Sequence, residues 1–166
     1  TAAVTIASTE FTQRIEQGGE FYSLLLVSAG AMLLLAQSND LIAIFIALET
    51  TSISQFVLAG IGRDDRSSEA GLKYLLTGAV AAAVLLYGFA FLFGLAGTTS
   101  LDGIAAFVVE GDAGTWFALV LAFVLVTAGL GFKLAIVPFH AWVPDVYQGA
   151  PTPVTTFLSV ASQAAG

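Results

Sequence analysis

The sequence predicts an all-α protein, a polytopic bundle of transmembrane helices, and three observations lead to this prediction. Residues of the set AVILMFWYC make up 57% of the 166 residues and 10% are charged, whereas an ordinary soluble domain is about 25% charged. The mean hydropathy of the chain is +0.90. Its apolar residues are gathered into long runs separated by short polar segments. Such a chain cannot cover a water-facing surface, which excludes a soluble globular domain and a disordered tail.

The chain begins with a polar segment, residues 1–20, ahead of a transmembrane domain over 21–166. Because a hydrocarbon core of about 30 Å takes about 20 helical residues to cross, the apolar runs predict four membrane helices. Their approximate limits are 21–37, 41–62, 68–96 and 115–143. Ser67 is predicted to start the third of these helices, because serine is a common N-cap and the acidic Glu69 would lie at the positive end of the helix. The stretch 97–114, rich in Gly and Thr, is predicted to be a polar loop.

A fifth helix is predicted from Pro153, since proline suits the first turn of a helix. Its residues, 153–166, reach only about 21 Å at about 1.5 Å per residue. Because this is too short to span the membrane, we expect a truncated fifth helix and a fragment of a longer protein.

The fourth helix is predicted to be broken. Gly129 and Gly131 lie before Lys133, and Pro138 lacks a backbone N–H and crowds the carbonyl of Leu134. We therefore expect regular helical hydrogen bonding to fail between Gly129 and Pro138, beside Lys133. A broken membrane helix frees backbone groups that must face water or protein, so this region is a candidate ion site.

Three ionisable side chains fall inside apolar runs: Glu49, Lys73 and Lys133. A charge at the centre of a membrane helix costs at least about 2.5–3.5 kcal/mol, so we expect all three to face the interior and pair with one another or with water. Glu49 is either part of a structural ion pair or a proton site, and Lys73 is near enough to a helix end to snorkel. His140 would share the face of Lys133 if the helix resumed, as a structural or a proton-uptake residue.

Residue counts exclude several kinds of chemistry. The chain has no cysteine, one histidine and one methionine, so we expect no metal site, no iron–sulfur cluster and no haem on it. Five Lys and Arg stand against twelve Asp and Glu, and the net charge of −7 has the wrong sign for a nucleic-acid partner. Any redox chemistry and every cofactor are therefore expected on another chain.

Four stretches of the sequence are distinctive: GEFYSLLL at 19–26, LIAIFIALETTSISQFVLAG at 41–60, SSEAGLKYLLTGAVAAAVLLYG at 67–88 and FKLAIVPFHAWVPDVYQGAPTPVTTFLSVAS at 132–162. They resemble the N-type antiporter-like membrane subunit of NADH-quinone oxidoreductase, respiratory complex I. The resemblance implies two inverted five-helix repeats, of which this chain would be the first. It also implies that Glu49, Lys73 and Lys133 form a proton relay and that His140 lies in the family's VPFH motif.

The resemblance further implies a function. The chain would be a proton-translocating, non-redox subunit of an NAD(P)H- or ferredoxin-quinone oxidoreductase, driven by quinone reduction in other subunits. Its expected partners are those membrane subunits, the lipid bilayer and a quinone bound elsewhere in the complex. Its expected location is a bacterial or archaeal inner membrane or an equivalent energy-transducing membrane. The alternatives are a subunit of a multi-subunit cation/proton antiporter or membrane hydrogenase, and a structural membrane scaffold.

The sequence departs from the family at one relay position. The family has a Ser-Lys pair in the fifth helix, where this chain has Ser162-Gln163. An amide hydrogen-bonds water but cannot carry a proton, so Gln163 is an equivalent position without a charge. We expect Gln163 to face the polar axis with Lys133 rather than lipid.

Overall fold

The computed structural model describes residues 1–111 and 114–165, which form helices and their connections. The helices are α1 (Ala2–Ala7), α2 (Thr9–Thr12), α3 (Gly18–Gln37), α4 (Leu41–Ala59), α5 (Asp65–Ala96), α6 (Leu101–Glu110), α7 (Trp116–Lys133), α8 (Trp142–Gly149) and α9 (Thr152–Phe157). A π-helical turn, Leu158–Ser162, leads from α9 into α10 (Gln163–Ala165). Within the described residues, α3, α4, α5 and α7 are long and apolar enough to cross a membrane, which confirms the predicted all-α transmembrane bundle.

Aspartates start the two central helices. Asp40 is the N-cap of α4, and its carboxylate accepts hydrogen bonds from two backbone N–H groups of the first turn at 2.9 and 3.2 Å. Asp64 is the N-cap of α5 and accepts from the N–H of Ser67 at 2.9 Å. The prediction that Ser67 starts this helix was wrong, because Asp64 caps it earlier. The Ser67 hydroxyl donates instead to the carbonyl of Ala59, at the end of α4, at 2.7 Å.

The prediction of a loop over 97–114 was wrong for its central part, which forms α6. Ile104 of α6 lies in the same buried cluster as Leu92 of α5 and Leu119 of α7. A helix this short is marginal without tertiary packing, so burial of its apolar face is what stabilises it. Residues 112 and 113 of the predicted loop lie outside the described residues.

The fifth helix begins at Thr152, with Pro153 in its first turn, one residue before the predicted start. The π-helical turn that follows hydrogen-bonds from residue i to i+5, so it rotates later side chains relative to a continuous α-helix. It therefore helps to set the directions of Ser162 and Gln163. Gly166, the last residue of the predicted helix, lies outside the described residues.

Glycines let α5 and α7 pack closely. A Cβ on Gly129 would lie 2.6 Å from the Cβ of Leu85, and a Cβ on Gly88 would lie 2.9 Å from the backbone nitrogen of Val126. Small residues are common at such crossings because membrane helices gain no hydrophobic driving force from one another. This close approach packs α7 directly against α5. Lys133, at the end of α7, is therefore held within the bundle.

The turn after α3 and the turn after α5 are tied together by the Asp40–Thr99 clasp. Asp40 and Ser100 form an antiparallel β-bridge, and the N–H of Leu41 donates to the carbonyl of Thr99 at 2.8 Å. The Thr99 hydroxyl donates to the carboxylate of Asp40. This hydrogen bond, with those from the backbone of α4, holds the pKa of Asp40 below its ordinary value.

We expect the clasp to weaken in acid. Because the pKa of Asp40 is lowered by folding, its stabilising contribution is complete above the ordinary aspartate pKa and is lost as the pH falls through the lowered value. Asp40→Asn keeps an oxygen for the helix cap but loses the charge. The variant should unfold at a lower temperature than the wild type at neutral pH and at the same temperature once Asp40 is protonated. A difference that persisted unchanged into acid, in thermal unfolding across pH, would contradict this account.

Candidate functional site

The membrane helix α7 stops at Lys133, and the chain turns through residues 134–141 before α8 begins. The N–H of Ile136 reaches back to the carbonyl of Gly131 at 2.9 Å, which is not α-helical spacing. Ala135 has a φ of 54°, in the left-handed region that L-residues rarely adopt. The predicted break beside Lys133 is confirmed.

The helix does not resume directly after the break, so one expectation was wrong and the condition attached to another is not met. The predicted helix over 115–143 is two helices, α7 and α8, because Ala135 leaves the helical region and Pro138 has no N–H to donate. His140 lies in the turn between them and is exposed. Helical spacing therefore does not place His140 on the face of Lys133, and its role in proton uptake stays a prediction.

Trp142, the first residue of α8, is hydrogen-bonded to the last turn of α7. Its indole Nε1–H donates to the carbonyl of Phe132 at 3.1 Å. This carbonyl belongs to the last turn of α7 and also accepts a hydrogen bond from the N–H of Ala135 at 3.1 Å. The indole also stacks on the ring of Tyr74, with centroids 4.5 Å apart and planes 11° apart. These contacts fix the backbone next to Lys133.

Glu49 and Lys133 form an ion pair between α4 and α7. The Nζ of Lys133 lies 3.2 Å from Oε1 of Glu49, and the two side chains are 11% exposed for Lys133 and 21% for Glu49. Lys133 also donates to the hydroxyl of Ser52, which in turn donates to the carbonyl of Leu48 at 2.6 Å. The negative end of the α7 dipole favours a cation here. The expected pairing of these two charges is present, and it offsets part of the cost of burying them.

Lys73 lies away from the Glu49–Lys133 pair, at the surface. The expectation that it faces the interior was wrong. Its Nζ lies 2.8 Å from Oε1 of Glu69 and 2.9 Å from Oδ2 of Asp145, and the Lys73 side chain is 45% exposed. The long stem of lysine lets the ammonium reach this surface, as in the snorkelling alternative. Asp145 was not singled out in the sequence, since an exposed aspartate in a polar stretch carries no signal of its partner.

Gln55 extends the polar face of α4 one turn beyond Ser52. It is 2% exposed, and its side-chain oxygen accepts hydrogen bonds from the hydroxyls of Tyr74 at 3.0 Å and Ser162 at 3.1 Å. Its Nε2 is buried and has no hydrogen-bond partner within the described residues. Because buried amide donors are normally satisfied, water is the partner to expect. Tyr74 was missed in the sequence because an aromatic residue in an apolar run suggests packing only.

Gln163 contacts α8. Its Nε2 donates to the hydroxyl of Tyr147 at 3.4 Å, and the Gln163 side chain is half-buried. Burial raises the pKa of Tyr147 above its ordinary value. Gln163 therefore points to a polar group of the protein, as expected, but the group is Tyr147 and not Lys133. Its neighbour Ser162 makes the connection to Gln55.

Comparison with known proteins identifies the family. Residues 38–166 match the family described as "NADH:quinone oxidoreductase/Mrp antiporter, TM", and this range includes every polar residue from Glu49 to Gln163. The chain belongs to this family.

Individual members of the family are close in sequence and in structure. NAD(P)H-quinone oxidoreductase subunit 2 of Synechococcus sp. (strain JA-3-3Ab) is 51% identical over 170 residues, which cover 100% of this chain and 32% of that protein. NADH-quinone oxidoreductase subunit N of Geobacillus sp. (strain WCH70) is 46% identical over 154 residues, 92% of this chain and 31% of that protein. A chain of respiratory complex I from Thermus thermophilus with bound aureothin superposes with a TM-score of 0.77 at 44% identity, covering 88% of this chain and 32% of that one.

Membership of the NADH:quinone oxidoreductase/Mrp antiporter family confirms the resemblance to the N-type membrane subunit of complex I. It also confirms that this is a multi-pass integral membrane protein, in agreement with the four apolar helices. The chain spans about a third of the length of the curated relatives it matches.

Proposed function

We propose that this family member is a proton-translocating, non-redox membrane subunit of a complex I type enzyme, and that Glu49 and Lys133 carry the proton within this domain. The observation that carries the proposal is an ammonium and a carboxylate held together inside a membrane bundle, at the end of a broken helix. Ionisable residues in such positions mark ion and proton pathways. Quinone reduction and the electron donor, NAD(P)H or ferredoxin, belong to other subunits in this proposal.

The pair is suited to proton transfer because its members are coupled. At a separation of 3.2 Å, each charge interacts strongly with the other, so a change of charge on one group alters the electrostatic energy of its partner. The hydroxyl of Ser52 contacts Nζ of Lys133, and a hydroxyl can both donate and accept a hydrogen bond. Ser52 therefore connects the ion pair to the polar face of α4.

The proposed path continues from Ser52 to the fifth helix. Gln55 lies one turn further along α4 and accepts a hydrogen bond from Ser162, so polar side chains lie on α4 between the ion pair and the position before Gln163. An amide cannot carry a proton. We infer that water, hydrogen-bonded to the buried Nε2 of Gln55, carries the proton past Gln55 and Gln163.

The close alternative is a cation/proton antiporter subunit, since the family description includes Mrp antiporters. The identities of 51% and 46% to quinone oxidoreductase subunits favour the complex I type. The proposed partners are accordingly the other membrane subunits of such a complex, together with the surrounding lipid.

Glu49→Gln in the full-length subunit of the assembled complex tests the proposal. The amide keeps the shape and can still accept a hydrogen bond from Lys133, but it cannot bind and release a proton. We expect the number of protons pumped per electron to fall much more than the amount of assembled complex. Glu16→Gln, at an exposed position outside the membrane helices, is the matched control and should leave both unchanged. If Glu49→Gln pumps normally, the pair is structural and the scaffold alternative holds.

Gln163→Lys should be tolerated. The ammonium can donate to the hydroxyl of Tyr147, as the amide does at 3.4 Å, and the half-buried position leaves it access to polar groups. We expect normal assembly, measured as the yield of intact complex, with pumping equal to or above that of the wild type. Gln163→Leu is the control, because it removes the hydrogen bond at similar volume. Loss of assembled complex in Gln163→Lys alone would mean that the surroundings are packed around a neutral residue.

A further inference from the structure

We propose that Lys73 is a positioning residue: its ion pair with Asp145, the Lys73–Asp145 latch, holds α8 against α5 and so fixes the end of α7 at Lys133. The expected effect on pumping rests on the proposed proton transfer through Lys133. The expected effect on α8 does not.

The latch acts together with two apolar contacts between α8 and α5. The Nζ of Lys73 is 2.9 Å from Oδ2 of Asp145. One turn earlier in α8, Trp142 stacks on Tyr74, the residue after Lys73, with ring centroids 4.5 Å apart. At the end of α8, a Cβ on Gly149 would lie 2.6 Å from a side-chain carbon of α5. The apolar contacts set the distance between the two helices, and the ion pair opposes their rotation and sliding.

Trp142 couples the position of α8 to the end of α7, where Lys133 lies. The indole of Trp142 is 6% exposed, and its Nε1–H holds the carbonyl of Phe132, the residue before Lys133, at 3.1 Å. Because the indole is fixed on α8, a shift of α8 pulls on the last turn of α7. The direction of the Lys133 side chain toward Glu49 therefore depends on where α8 lies.

The surroundings of Lys73 suit a latch. It lies in a polar cleft of about 300 Å³ whose other lining residues include Arg66, Glu69, Asp145 and Gln148. Both of its ion-pair partners, Glu69 and Asp145, are outside the Glu49–Lys133 pair. Glu69 is on the same helix as Lys73, one turn away, so it can orient the ammonium but cannot hold α8. Of these two carboxylates, only Asp145 lies on α8, so only its ion pair with Lys73 joins the two helices.

This difference between the two carboxylates provides a matched control. In the assembled complex with full-length subunit, we compare Asp145→Asn, Glu69→Gln, Lys73→Met and Lys73→Arg. Hydrogen–deuterium exchange of the amides of α8 reports the latch, and protons pumped per electron report its effect on Lys133. Asp145→Asn and Lys73→Met should speed exchange in α8 by about two- to fivefold, the contribution of an exposed ion pair, and should lower pumping. Glu69→Gln should change neither.

Lys73→Arg separates a latch from a proton carrier. Arginine can pair with Asp145 but cannot give up its proton, so a latch is rescued and a carrier is not. We expect wild-type exchange and pumping in Lys73→Arg. Lost pumping with unchanged exchange in this variant would overturn the proposal, as would unchanged exchange in Asp145→Asn. If Glu49→Gln pumps normally in the same preparations, the proposed relay fails, while exchange in α8 still decides the latch.

Discussion

Replacing Lys133 with methionine should lower the free energy of unfolding by about 3 kcal/mol, because removing one member of a buried ion pair leaves the other charge uncompensated. Glu49 would remain largely buried, and Ser52 would lose the donor that now contacts it. Methionine keeps most of the lysine stem without the charge. The same variant should stop proton transfer through this domain. The measurements are thermal unfolding of the full-length protein in detergent and proton pumping by the reconstituted complex.

A double variant separates the two effects. Glu49→Gln with Lys133→Met removes both charges, so it should regain most of the lost stability without regaining pumping. Lys73→Met, which removes an exposed lysine instead, should cost less than about 1 kcal/mol. If the double variant is less stable than Lys133→Met alone, the two charges do not stabilise each other and the pair is not the unit that the structure indicates.

Gly129→Leu should be the most damaging change outside the polar site. Its first side-chain carbon would lie 2.6 Å from the Cβ and 2.9 Å from the Cα of Leu85, so α5 and α7 would have to move apart. Overpacking of this kind lowers the free energy of unfolding by about 3 kcal/mol. Because the contact includes backbone atoms of Leu85, a side-chain rearrangement alone cannot relieve it. We expect a clear fall in the unfolding temperature of the full-length protein and in the yield of assembled complex.

Gly94→Leu is the matched control for this prediction. Gly94 is an exposed membrane-helix glycine of α5. Apart from the backbone of its own helix, no atom of the described residues lies within 4 Å of where its Cβ would be. Leucine there should stabilise the helix slightly, because glycine is about 1 kcal/mol worse than alanine or leucine in a helix. Equal stability of Gly129→Leu and Gly94→Leu would show that α5 and α7 are not in tight contact at Gly129.

Several features could be predicted from the sequence because the rule behind each is local. The membrane helices follow from the lengths of apolar runs, and the break at Lys133 follows from the nearby glycines and Pro138. Glu49 and Lys133 stand out because a charge in an apolar run is costly whatever surrounds it. The helix α6 was missed for the opposite reason: its ten residues depend on the burial of Ile104, which no local pattern reveals.

By itself the sequence determined that this is a transmembrane bundle with a broken helix and buried charges that need partners. Only the tertiary structure decided which partners they have. Glu49 and Lys133 are 84 residues apart, so the cost of burying them demands a counter-charge without saying which one meets it. Lys73 and Asp145, an exposed pair, are 72 residues apart, and no local pattern indicates that they meet. The choice of partners is made by the close packing of α5 on α7 and by the direction in which α8 leaves the break. Both depend on contacts between residues far apart in the chain, and these contacts exist only once the helices have packed.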